Sequence, residues 1–343
     1  MKEIYRNDAL RMARQMVEAA KRATESGSRI LVFPHKSVDG DCIGSSCSLA
    51  SLLRKLGAEA YVAMPERLPD NMAFLSVDDL LVFPLENEED RDCTIAFAVD
   101  CSEGHRMGDC GEIYDACPDK LIIDHHASVK LKGENMWIRP EASSACELCY
   151  YTAVSLADIT GIPVEELIDK RTAECLLMGI VTDTGRFTYR NTSPETLIVA
   201  GELMELGADV AIICYYQFDR KMPSEFFISN AACVNASLLL NGKLAITCID
   251  NDMFSRFGAG RDEVADVVSR LRDIEGVELA VVLRQTEDGA IRANLRSKES
   301  FDCSVFAESY GGGGHVRAAG FTVKDRQLDE LRDEITDRVN KLL

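Results

Sequence analysis

Three short apolar runs in the first 125 residues each stop at a histidine or an aspartate. RILVFP (29–34) runs into His35, TIAFAVD (94–100) ends in Asp100, and LIID (121–124) ends at the pair His125-His126. Runs this brief and this continuously apolar suit strands buried on both faces. Helical spacing lies between them, as from Cys42 to Leu56 with Gly57 as a stop. Strands alternating with helices predict an α/β fold with an N-terminal domain built on a mainly parallel sheet covered by helices on both faces. Ligands of such sheets sit beyond the carboxyl ends of the strands, where these histidines and aspartates stand.

Further along, Ser144-x-x-Glu147 predicts a capping box opening a helix to about Leu156. A second helix is expected from Val164 to about Val181, directly before Thr182-Asp183, and a third from Pro194 to Leu206, with Gly207 as its stop. From Asn241 the pattern changes. KLAITCID, VELAVVLRQ and AIRANLRS read as strands, the last two flanking the turn Glu287-Asp288-Gly289, with helical patterns at 262–273 and 326–342. This predicts a smaller α/β C-terminal domain with a mixed sheet. The expected division is 1–210 for the first domain, 211–240 as a linker region and 241–343 for the second.

Charge narrows the function classes. Lys and Arg number 38 against 57 Asp and Glu, a net charge of −19. That surface repels long polyanions, whose capture depends on many phosphate contacts. A phosphate-bearing partner is therefore expected to be short, with its charge met locally by metals or a few arginines. No run of roughly 18 apolar residues is present, so no membrane span is expected. The N-terminal stretch, residues 1–23, is charged and amphipathic and does not read as a signal peptide. The 13 cysteines are scattered and set in apolar runs, and Cys146-x-x-Cys149 has no second pair beside it. Reduced, packed thiols in a cytoplasmic protein are the expectation.

The chemistry rests on a joint pattern. His35-Lys-Ser-Val-Asp39-Gly-Asp41 follows the first strand, Asp100 ends the second, Asp124-His125-His126 closes the third, and Thr182-Asp183-Thr184-Gly185-Arg186 follows an apolar helix. Each piece has a plain structural alternative: capping acids, a turn former, paired surface histidines. Of the five histidines (35, 105, 125, 126 and 315), however, three fall in these acid-rich strand ends. Imidazole with carboxylate suits manganese, iron, cobalt or zinc, whereas carboxylate alone would suit magnesium. Adjacent His125 and His126 point to different sides in extended chain, so one can meet a metal while the other faces substrate, with Asp124 orienting a ring. In the second domain Arg296-Ser297 precedes Gly311-Gly312-Gly313-Gly314-His315. Glycines let backbone N–H groups approach an anion, and arginine offers a planar fork for phosphate. A Gly-rich linker is the alternative, although here the run re-enters a strand pattern.

Laid out in order, these motifs resemble the DHH phosphoesterase superfamily over essentially the whole chain, with a GGGGH-type DHH-associated second domain. The phrases GIVTDTGRFTY, TSPETL and GGGGHVRAAGF are similar to the stand-alone NrnA type. The resemblance implies a two-metal phosphoesterase with its active site in the cleft between the domains. His35, Asp39 and Asp100 would hold one divalent ion, and Asp41, Asp100, His125 and Asp183 the other, with manganese favoured. It assigns catalytic roles to Asp100, Asp124 and His126, the last at the scissile phosphate. Substrate binding would fall to Arg296, Ser297, Gly312, Gly313, Gly314 and His315. The implied activity is removal of nucleotides from an end of short oligoribonucleotides (nanoRNA), together with removal of the 3′-phosphate of 3′-phosphoadenosine 5′-phosphate (pAp). Cleavage of cyclic di-AMP or pApA is the alternative within the class, and a non-catalytic nucleotide sensor the alternative outside it. Short RNA or a small nucleotide is thus the expected partner, with no long nucleic acid and no membrane, and a homodimer is the default assembly.

Overall fold

A computed structural model of the chain describes residues 3–127, 129 and 133–343. Met1 and Lys2, at the head of the amphipathic N-terminal stretch, lie outside the described residues. The chain divides into two compact units, Met1–Arg220 and Lys221–Leu343.

The first unit runs α1 (Glu3–Ser26), β1 (Ile30–Phe33), α2 (Gly40–Lys55), β2 (Ala60–Ala63), β3 (Leu81–Val82), β4 (Ile95–Val99), α3 (Gly111–Ala116), β5 (Asp119–Asp124), β6 (Met136–Ile138), α4 (Ala145–Thr160), α5 (Val164–Leu167), α6 (Lys170–Asp183), α7 (Pro194–Glu205) and α8 (Val210–Cys214). Its six strands pair in parallel in the order β3-β2-β1-β4-β5-β6. The order reverses between β1 and β4, and a crevice opens at such a reversal. Because side chains alternate along a strand, Ile30, Val32, Phe97, Val99 and Ile123 pack under α1, α2, α4 and α6. Leu31, Phe33, Ala96, Ala98 and Ile122 meet Met107, Cys110 and Tyr114 on the other face. Both faces are covered, as the continuous apolar runs required. Along α1, Tyr5, Ala9, Met12, Met16 and Ala20 form one buried stripe, and Tyr5 lies 5.5 Å from Tyr151 of α4.

Helix boundaries departed from expectation where local capping intervened. The helix expected from Val164 to Val181 is two, because the Asp169 carboxylate caps α6 by accepting the Thr172 N–H. Ser144 caps α4, but the Glu147 side chain does not complete the box. It accepts instead from Ser143, Tyr151 and Thr196. The reciprocal pair forms at Ser193 and Thr196, at the head of α7.

The second unit runs α9 (Pro223–Val234), β7 (Ser237–Leu239), β8 (Leu244–Ile249), α10 (Asn251–Phe257), α11 (Val267–Arg272), β9 (Leu279–Gln285), β10 (Ile291–Ser297), α12 (Cys303–Glu308), β11 (Gly313–His315), β12 (Ala318–Val323) and α13 (Leu328–Val339). Its sheet has the order β11-β12-β10-β9-β8-β7 and is mixed, since β8 and β9 pair in parallel and the others antiparallel. Residues 211–240 hold most of α8, a π-helical turn Tyr215–Asp219, α9 and β7. The helix expected at 262–273 begins as a 3-10 turn, Arg261–Val264. The glycine run enters the edge strand β11. No described helix is long and apolar enough to cross a membrane, and all thirteen cysteines are free thiols.

Candidate metal centre

Beyond the carboxyl ends of β1, β4 and β5, His35, Asp100 and His125 converge at the point where the strand order reverses. Asp100 is the hinge of the arrangement. One of its oxygens, Oδ2, lies 3.3 Å from His35 Nε2, and the other, Oδ1, lies 3.3 Å from His125 Nε2. Its backbone is left-handed (φ 58°), a conformation that aspartate tolerates better than most residues. Its own N–H is held 3.0 Å from the Ile123 carbonyl. Asp100 is 2% exposed, and Oδ1 is buried without a hydrogen-bond partner among the described residues.

Helix α2 brings the next two acids. Asp39 is its N-cap, accepting the Cys42 N–H at 2.9 Å through Oδ1 while Oδ2 stands 3.6 Å from His35 Nε2. Asp41, in the first turn, is fully buried, and its carboxylate accepts the Ala145 and Cys146 N–H groups at the start of α4 (2.7 and 2.8 Å). A helix N-terminus presents unpaired N–H groups, so α4 fixes this carboxylate in place. Asp41 Oδ2 is 3.6 Å from His125 Nε2, and Asp183 Oδ2, from the last residue of α6, is 3.2 Å from the same atom. Two imidazole nitrogens thus face two carboxylate sets that share Asp100.

Backbones approach closely to achieve this. A Cβ on Gly44 of α2 would overlap the Cys175 carbonyl of α6. One on Gly179 of α6 would overlap the Cys146 sulfur and stand 2.7 Å from Asp41 Oδ1. Glycine at both positions lets α2, α4 and α6 pack tightly enough to set Asp41 beside Asp183.

His126 serves differently. Its Nδ1 is 2.8 Å from Asp124 Oδ1, and its backbone N–H donates to the same oxygen, so a buried carboxylate orients the ring and leaves Nε2 available. Cys42, which sequence reasoning overlooked, also enters the cluster: its sulfur accepts the His35 N–H at 3.1 Å, and burial pushes its thiol well up, keeping it neutral. Only helical spacing from Asp39 could have signalled it. His105 lies apart, exposed beside Glu103.

Burial and crowded carboxylates shape the electrostatics of the site. Burial and the neighbouring Asp100 and Asp183 push Asp41 well up, and burial also raises Asp183. Burial opposes charge on the histidines, but Asp100 and Asp39 carry His35 to about 9, and Asp100 and Asp183 carry His125 to about 11. Burial would raise Asp100 too, yet the imidazoles of His125 and His35 hold it at about 2. The donor atoms of Asp41, His125 and Asp183 lie within 4.8 Å of one another, as do those of Asp100, His125 and His126. A buried carboxylate oxygen with imidazole nitrogens at 3.3 and 3.4 Å, together with the clustered acids, fits divalent ions.

The sign of the proton linkage follows. Raised histidine pKa values stabilise the metal-free fold below about 6.5, and that contribution is lost as pH rises through about 9 and then about 11. Metal ligation needs neutral imidazole, so manganese binding at pH 7.5 is expected to release roughly one proton per ligating histidine, with affinity rising toward pH 9. Calorimetric titration in buffers of different ionisation heat measures this. Binding without proton release would contradict the ligand assignment.

In the second unit, strand alternation exposes Arg296 and turns Ser297 to the opposite face, where it is buried and its hydroxyl donates to the Phe301 carbonyl (2.7 Å). Gly313 and Gly314 line the same groove as Arg296, and the register through β12 sets exposed His315 two strands across from Arg296. Gly312 is not among its lining residues: a Cβ there would overlap the Gly320 carbonyl, so that glycine serves strand packing.

Residues 29–180 match the DHH family, N-terminal domain, and residues 241–341 match the DHHA1 domain. The bifunctional oligoribonuclease and PAP phosphatase NrnA of Thermus thermophilus is 31% identical over 92% of this chain and 90% of its own length. The chain belongs to the DHH family. A Bacillus subtilis protein of the same description is 28% identical over 88% of this chain and 93% of its own. Among solved structures, an exopolyphosphatase-related protein from Bacteroides fragilis superposes with a TM-score of 0.81 at 22% identity, covering 96% of this chain and 97% of that one, which shows the shared fold.

Proposed function

We propose that this DHH protein is a phosphoesterase that removes nucleotides from an end of short oligoribonucleotides and removes the 3′-phosphate of pAp. The observation that carries this reading is the shared Asp100, whose two oxygens address His35 and His125 separately while Asp39, Asp41 and Asp183 surround them. Two NrnA proteins among its relatives support the substrate class.

In this reading His35, Asp39 and Asp100 would hold one divalent cation, and Asp41, Asp100, His125 and Asp183 would hold another. Mixed imidazole and carboxylate donors favour manganese over magnesium. Such ions supply Lewis-acid polarisation of phosphoryl oxygens and a water of lowered pKa. The chain's own residues do the rest. Asp124 fixes the His126 ring, so that Nε2 can donate a proton or hydrogen bond to the leaving oxygen. Arg296, the backbone of Gly313 and Gly314, and His315 hold a substrate phosphate on the second unit. We assign the catalytic ions to the first unit and phosphate capture to the second. The net charge of −19 disfavours long nucleic acid.

The test is product release by purified protein with manganese, on pAp, a 5′-phosphorylated RNA dinucleotide, cyclic di-AMP and pyrophosphate in parallel. Turnover of pAp and the dinucleotide is expected, lost on chelation, with pyrophosphate untouched. Preference for cyclic di-AMP would reassign the substrate, and silence on all four with manganese bound would sink the enzymatic reading.

A further inference from the structure

The face of the second unit's sheet that carries Arg296 carries two more arginines. Alternation along β10 sends Arg292, Asn294 and Arg296 to one side, and the antiparallel register sets Arg292 opposite Arg284 of β9. With Gly313 and Gly314 they line a groove of about 600 Å³. Register through β12 places Gly313 level with Asn294 and Gly314 level with Leu295, so the glycines flank the Arg296 half of the groove. Arg292 and Arg284 occupy the other half.

Charge balance marks this groove as built for an anion. Acids outnumber bases by 57 to 38 in the chain, yet Arg292 and Arg296 are exposed and make no ion pair or hydrogen bond with a described residue. Arg284 is largely buried. It donates to the Arg261 carbonyl and, among the described residues, has only Asp262, 3.7 Å away and fully exposed, as a counter-charge. Three guanidiniums in one groove repel one another, and nothing in the fold requires arginine on this face. Arg292 and Arg296 are four residues apart on a strand, about 13 Å along its axis, too far for one phosphate to satisfy both well. Val264 and Val268, nearly buried in the core beneath, give the groove an apolar lining, and Asn294 offers an amide between the two cationic ends.

We propose that the groove holds two phosphates of one short oligonucleotide. One lies between Arg296 and the Gly313–Gly314 backbone, and a second lies between Arg292 and Arg284. The nucleoside joining them rests against Val264, Val268 and Asn294. Arg292 thereby sets the preferred substrate length. The inference rests on the phosphoesterase reading only in taking a nucleotide as the ligand, and a bare polyphosphate would satisfy the arginines but not the apolar lining.

The test measures binding without turnover. A 5′-phosphorylated, fluorescently labelled RNA trinucleotide is titrated with the full chain in EDTA, across a range of salt concentrations. Arg292→Gln is expected to weaken binding about tenfold, as loss of one charge-assisted contact does. It should also flatten the slope of log affinity against log salt by about 0.7. Arg256→Gln, an exposed arginine of α10 away from the groove, should bind as wild type, controlling for net charge. Unlabelled pApA should displace the probe at least tenfold better than inorganic tripolyphosphate. Wild-type affinity and salt slope in Arg292→Gln would overturn the proposal, as would tripolyphosphate competing as well as pApA. If Arg292→Gln weakens binding as expected while manganese yields no turnover of any substrate, the groove stands and the hydrolase reading fails.

Discussion

Replacing Asp100 with asparagine is expected to reduce manganese-dependent turnover by roughly a thousandfold or more while leaving the fold intact. Among the described residues the carboxylate is the one group whose two oxygens face both imidazoles, so it couples the His35 side of the site to the His125 side. Asparagine keeps the shape and accepts the left-handed backbone at φ 58°. It loses the negative charge and turns one oxygen into a donor that points at a nitrogen. Alanine would lose the charge equally and add backbone strain of about 1 kcal/mol, which makes asparagine the cleaner variant. Far-ultraviolet circular dichroism and melting of the metal-free protein should match wild type within a few degrees, while bound manganese per chain falls. An Asp100→Asn protein turning over at the wild-type rate with saturating manganese would refute the shared-ligand assignment.

The second large effect is expected where α6 packs against α2 and α4, beside the Asp41 carboxylate. Gly179→Ala should destabilise the first unit by about 2–3 kcal/mol, lowering its melting temperature by roughly 5–10 °C, and should weaken metal binding as well. An added methyl there must displace the Cys146 sulfur or the Asp41 carboxylate, both fully buried between α2, α4 and α6. Asp41 cannot retreat without giving up the two N–H groups of α4 that hold it. Cys146→Ala in the same chain removes the sulfur and should restore part of the loss, a coupling measurable in a double-mutant cycle. Additive losses would show that the two side chains do not compete for that space. Unchanged stability in the single variant would mean that the three helices pack more loosely than their backbones indicate.

How much of this was legible beforehand varied with how local the information is. Strands β1, β4 and β5 could be read because a parallel strand buried on both faces must be apolar at nearly every position, and each stops at or just before a histidine or aspartate. Strands β2, β3 and β6, of 4, 2 and 3 residues, carry too little pattern to register. The break at Asp169 stayed hidden because apolar spacing continues across it while one capping carboxylate decides the chain's direction. At Glu147 the capping pattern was present, but the side chain went to Ser143, Tyr151 and Thr196, partners that only folding supplies.

The same division runs through the site. Sequence alone determined which chemistry was available: His35, Asp39, Asp41, Asp100, His125 and Asp183 stand where strands and helices end, and a scarce residue type concentrated there is evidence in itself. It also determined that Asp124 would precede the histidine pair as an orienting acid. Tertiary structure decided which atoms meet. That Asp100 faces both imidazoles depends on the β1–β4 and β4–β5 registers, and that Asp41 reaches His125 beside Asp183 depends on the close contact of α2, α4 and α6 at Gly44 and Gly179. In the second unit Arg296-Ser297 read as a pair, but a pleated strand sends neighbours to opposite faces, so Arg296 joined Arg292 and Arg284 instead. Residue identity is written locally, whereas distance between residues far apart in the chain is fixed only when burial of the apolar faces forces particular elements together.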